Sequence, residues 1–157
     1  MFLRRTKNNR RRATALVETA VVMLPLCLLL FAIMEYGRVV MTYQILNNAA
    51  REGARQATAV ATSYIPPSTA TANVTSTVTN FLAGQNLNNL NIQIYQADTS
   101  GNNIGPWTSA PFGQNIVVQV DADFSLLFPT FGMLPNNGGS PNSMHMRAKS
   151  MMRGEAN

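Results

Sequence analysis

The dominant feature of the hydrophobic pattern is a run over residues 13–36, ATALVETAVVMLPLCLLLFAIMEY, in which Glu18 is the one charge before Glu35 at the far edge. A helix rises about 1.5 Å per residue and needs about 20 mostly apolar residues to cross a bilayer core, so this run is long enough to span. Helical spacing continues beyond it. From residue 37 to 61, Val40, Tyr43, Leu46, Ala50, Gly53, Ala54, Ala57 and Ala61 fall on or near one stripe. A single helix over residues 15–61 is about 70 Å long, with roughly half of it beyond a bilayer. Pro25 removes a backbone donor and predicts a kink within the run. Gly53 costs about 1 kcal/mol against alanine in a helix interior, which points to a close packing contact.

After the long helix, Pro66-Pro67 forces a stop. Ser68 or Thr69 is expected to cap a second helix whose apolar positions are Ala70, Val74, Val78, Phe81 and Leu82, with Gly84 at its end. Residues 86–91 read as a polar turn, 92–97 as a strand and 98–105 as a loop. The clearest strand covers residues 115–124: Ile116, Val118, Val120, Ala122 and Phe124 face one side, Val117, Gln119, Asp121 and Asp123 the other. Residues 126–134 form an apolar patch broken by Pro129 and Gly132. Residues 136–142 read as a flexible turn, and 143–153 as a final strand carrying Met144, Met146, Ala148 and Met151 or Met152. The expected fold is α+β, with two helices on a short antiparallel sheet of about three strands. The boundaries are a basic arm at 1–12, a transmembrane segment at 13–36, an outer continuation of the helix at 37–61 and a small domain at 62–157.

The net charge of +5 first suggests nucleic acid, but its location changes that picture. Six of the 12 basic residues, Arg4, Arg5, Lys7, Arg10, Arg11 and Arg12, precede the apolar run. This is the positive-inside pattern, which puts the N-terminus in the cytoplasm and the rest across the membrane. The arm lacks interleaved aromatics, so no nucleic-acid partner is expected. The apolar core exceeds the usual signal-peptide length and is followed by Met34-Glu35-Tyr36-Gly37 instead of small residues, favouring an anchor over a cleaved signal. The single cysteine, Cys27, lies inside the run, so no intrachain disulfide is possible.

Chemistry is sparse. His145 stands alone in sequence, without a carboxylate or cysteine motif around it. Asp121 and Asp123 share a strand face but lack the oxygen-rich loop of a calcium site, so they read as a solvated face. Arg51, Glu52 and Arg55 read as surface charge pairs on the helix. There is no phosphate-cradling loop, nucleophile elbow or paired-cysteine motif. The expectation is no enzyme, no catalytic or metal residues and no cofactor.

Taken together, RRRATALVETAVVMLPLCLLLFAIMEYGRVV and NNAAREGARQA resemble the TadE-like family, minor pilin-like components of the bacterial tight-adherence pilus machinery. The resemblance rests on Val17-Glu18, the proline after a short apolar run, Glu35-Tyr36-Gly37-Arg38 and the segment from Ala49 through Arg55. It implies a structural subunit in the cytoplasmic membrane, with its C-terminal domain outside. Its implied partners are other pilin-like subunits, the assembly platform and a prepilin peptidase. In prepilin-like members the peptidase cuts five positions before the glutamate, which here falls between Ala13 and Thr14, with alanine where the pattern has glycine. Glu18 then neutralises the freed amino group of a neighbouring subunit, and Glu18, Pro25, Glu35, Gly53 and Ala54 become subunit-packing residues. A second reading stays open: an uncleaved single-span envelope protein whose outer domain binds a ligand, a surface or an envelope partner.

Overall fold

The computed structural model describes residues 7–61, 66–111, 113–127 and 143–154. Its first helix, α1, is Lys7–Ala61, unbroken through Pro25 and 55 residues long. The chain divides into two compact units, Met1–Arg38 and Val39–Asn157.

In the second unit, the part of α1 from Val39 onward and a second helix, α2 (Pro67–Leu82), pack on one face of a four-stranded antiparallel sheet. The strands are β1 (Leu87–Ala97), β2 (Asn103–Gly105), β3 (Asn115–Ser125) and β4 (Ser143–Arg153), in the order β2-β1-β3-β4. The expected α+β class holds. The core joins Leu46, Ala49, Ala50, Ala54 and Ala57 of α1 to Val74 and Val78 of α2 and to Ile116, Val118, Val120 and Ala122 of β3. Small residues on α1 let the helix approach closely. A Cβ added to Gly53 would lie 2.5 Å from Val78 Cγ2 and 3.2 Å from Val118 Cγ1, which accounts for a glycine inside a helix.

Several expectations are corrected. The helical stripe excludes Tyr43 and Ala61, which are exposed, and takes in Thr42, Ala49 and Val60 instead. Neither Ser68 nor Thr69 caps α2. Pro66 is its N-cap residue and Pro67 takes the first turn, where a missing N–H costs nothing. Phe81 is exposed, while Ala70, Val74, Val78 and Leu82 are buried. The polar turn over 86–91 is mostly strand. Leu87 and Asn88 pair with Phe124 and Asp123, and the register shifts between Asn88 and Asn91. Asn89 takes φ 51° there, a conformation asparagine tolerates well. Part of the expected loop over 98–105 is β2, so the sheet has four strands instead of about three. Of the apolar patch over 126–134, Leu126 packs against the core and Leu127 is exposed. Residues 128–134 and the turn over 136–142 lie outside the described residues.

Candidate functional site

The first candidate site is the inner stretch of α1. Leu16, Val17, Val21, Leu24, Leu28, Leu29 and Ile33 are all exposed, with Leu16 at 71 %. Nothing among the described residues covers them, and water would hydrate several hundred Å² of apolar side chain at about 25 cal/mol per Å². An 18-residue window reaches a mean hydropathy of 2.5 with none of it buried. A single apolar helix of this kind suits single-pass membrane anchoring. Helical structure also satisfies its polar groups locally: the Thr19 hydroxyl donates to the Ala15 carbonyl at 2.8 Å.

Ala13, Thr14 and Glu18 all lie on this exposed helix. Glu18 has no ion pair among the described residues. Pro25 leaves the Val21 carbonyl without its usual helical donor. Glu35 differs: it is only 4 % exposed and accepts a hydrogen bond from Arg38 at 2.9 Å. Gly53 and Ala54, expected at subunit contacts, are consumed by packing inside the second unit. Arg51 is exposed, and Arg55 donates to both carboxylate oxygens of Glu52, with Nε–Oε2 at 3.0 Å. This bond holds the Glu52 carboxyl below the usual range.

The second candidate is the sheet face turned away from the helices, where sequence reading missed a network. Asp121 and Asp123 are 6 % and 7 % exposed, so they are not a solvated face. Strand pairing sets Asp121 opposite Arg147 and Asp123 opposite His145. Arg147 Nε donates to Asp121 Oδ1 at 2.6 Å, and His145 Nδ1 lies 2.8 Å from Asp123 Oδ1. Asn89, held out by the bulge, donates to Asp123 Oδ2 at 2.8 Å. Hydrogen bonds from Asn89 first and His145 second hold the Asp123 carboxyl below the ordinary carboxylate range. Gln119 donates to Asp121 Oδ2 at 2.9 Å, so each oxygen of the two carboxylates has a hydrogen-bond partner within the chain itself. That chemistry braces a sheet. Among the described residues no cluster of three or more His, Cys, Asp or Glu side chains is placed to hold a metal.

One signal for this network was present in the sequence. Asp-x-Asp on one strand and His-x-Arg on another have complementary charge at the same two-residue spacing. Only the register makes them partners.

Comparison with known proteins agrees with the first candidate. Residues 13–55 match the family model described as TadE-like protein, covering the exposed stretch of α1 and continuing to Arg55. No curated protein and no solved structure matches the chain.

Proposed function

We propose, from the match of residues 13–55 to the TadE-like family model, that the chain is a membrane-anchored, structural subunit of a tight-adherence pilus or of its assembly machinery, in a minor pilin-like role. The observation that carries this reading is the wholly exposed apolar stretch of α1, which requires a cover of lipid or neighbouring helices. The N-terminus lies in the cytoplasm, the helix crosses the inner membrane, and the second unit stands outside. Its partners are other pilin-like subunits and the assembly platform, met through helix packing in the membrane.

Glu18 supplies the specificity of that assembly. A carboxylate in a membrane helix costs about 2.5–3.5 kcal/mol at the centre and less near the edge, where Glu18 lies, and it calls for a partner. Cleavage between Ala13 and Thr14 would give it one, the amino group of a neighbouring subunit. The mass of the membrane-extracted chain tests the cut: a mature N-terminus at Thr14 is expected, and a retained arginine arm overturns the processing step while leaving the anchor. Glu18→Ala is expected to insert normally and to reduce piliation, and unchanged piliation counts against the pairing. Co-purification with pilus platform proteins tests the broader role. Its repeated absence turns the reading to a single-span envelope protein whose outer domain binds a partner of its own.

A further inference from the structure

The exposed large apolar side chains of the second unit are not spread evenly over it. Where each one stands follows from two packing contacts. Gly53 sits against Val118 of β3, and Thr58 and Ala61, near the end of α1, line a small cavity together with Ile116. α1 and β3 therefore run in opposite directions. At about 1.5 Å per helical residue and about 3.4 Å per strand residue, the path back from Gly53 to Val39 is about 21 Å and the path forward from Val118 to Phe124 about 20 Å. The point where α1 enters the unit is thus level with the end of β3.

Met41, Tyr43, Leu90, Leu127 and Met144 are exposed and gather at that end. Met144 pairs with Phe124, Leu90 lies in the β1 bulge between the residues opposite Asp123 and Asp121, and Leu127 stands just past the end of β3. Ile104 and Met151 lie toward the opposite end, near the level of Ile116 and Val117, and Phe81 lies between. The carboxylates nearest the apolar end, Asp121 and Asp123, are buried and bonded to donors of the chain. Among the described residues no exposed carboxylate stands there to oppose an anionic surface.

The apolar run of α1 ends at Tyr36, just before the unit begins at Val39. Met41 and Tyr43 are about 7 and 10 Å beyond Tyr36 along the helix. The headgroup band of a bilayer is about 5–8 Å deep on each side of the hydrocarbon core, and apolar side chains bury themselves in it. We infer that this end of the second unit rests in the headgroup layer, so that the unit makes an interfacial membrane contact of its own. The inference rests on residues 13–36 spanning the bilayer. Lipid is the occupant because the apolar end is the one at which the chain leaves the span. Tyr36 and Tyr43, both exposed and seven residues apart on one helix face, are also the residue type enriched at that boundary. Leu127, which lies past the level of Val39, reaches deepest.

The test places a nitroxide on one cysteine at a time in the full chain, reconstituted in vesicles of phosphatidylcholine and phosphatidylglycerol. Collision with oxygen, which concentrates in lipid, is compared with collision with a water-soluble nickel complex. Native Cys27 reports the span. In a Cys27→Ser background, Leu127→Cys and Met144→Cys are expected to show an oxygen-to-nickel ratio severalfold above that of Met151→Cys at the opposite end. All three positions are exposed, so the substitutions leave the core intact. A water-like ratio in Leu127→Cys and Met144→Cys, with Cys27 in lipid, overturns this inference and leaves the anchor standing. A water-like ratio at Cys27 overturns the anchor reading and this inference with it. Shielding of Leu127→Cys from both reagents that grows with the ratio of protein to lipid marks contact between copies of the chain, and overturns lipid as the occupant.

Discussion

Two stretches of one helix solve opposite problems. Over residues 16–34 of α1 most side chains are large, apolar and exposed, and over residues 49–57 the facing side chains are small and buried. Hydropathy alone would rank the first stretch as core. The difference lies in what covers each: the first offers bulk to a medium outside the chain, and the second offers closeness to the chain's own sheet. Leucines suit a fluid or adaptable cover, while alanine and glycine suit a rigid surface that must be approached to a few ångströms.

The sharpest test of this contrast is a matched pair of truncations. Leu46→Ala removes a fully buried side chain, leaves a cavity and is expected to cost the second unit about 2–5 kcal/mol. Leu28→Ala, on the exposed stretch, should leave that unit's resistance to protease unchanged. Equal losses from both would erase the contrast.

Filling is the converse of emptying. Gly53→Ala gains about 1 kcal/mol in helix propensity. It also drives a methyl against Val78 Cγ2, on a stiff and fully buried side chain. Overpacking of this kind costs about 1–3 kcal/mol, so a net loss is expected in hydrogen-exchange protection of β3. A gain would show that the helix stands further from the sheet than Gly53 implies.

Smaller still is the contribution of the outer sheet face. The Asp123 carboxyl titrates lower in the folded chain than in the unfolded one. Its stabilisation is therefore complete above the ordinary carboxylate pKa of about 4 and is lost as pH falls through the folded value. Asp123→Asn is expected to cost about 1 kcal/mol at neutral pH and to flatten part of the acid-induced loss in melting temperature. At the bottom of the scale, Glu52→Gln should leave the melting temperature within error, because exposed ion pairs contribute little.

The sequence disclosed these regions unequally, for physical reasons. The long helix α1 was legible from an unbroken apolar run continued at helical spacing, and the main strand β3 from its strict alternation. The stripe on α1 was misjudged at Tyr43 and Ala61 because period alone does not say where the packed face ends. The start of β1 was hidden because asparagines signal turns, and here the same preference serves a bulge at Asn89. β2 is three residues long, too short for alternation to show. Asp121 and Asp123 looked solvated because burial on that face is created by β4, and the pairing partner of a strand is not written in its own residues.

The 3₁₀ turn Trp107–Ser109 holds the only tryptophan of the chain, 4 % exposed and part of the second unit's core. Indole emission moves to the red when the ring passes from an apolar surrounding to water, so the protein carries its own optical gauge. That gauge reads only the second unit. The apolar stretch of α1 contains no indole and remains dark, so melting of that unit can be followed in detergent or lipid without a label.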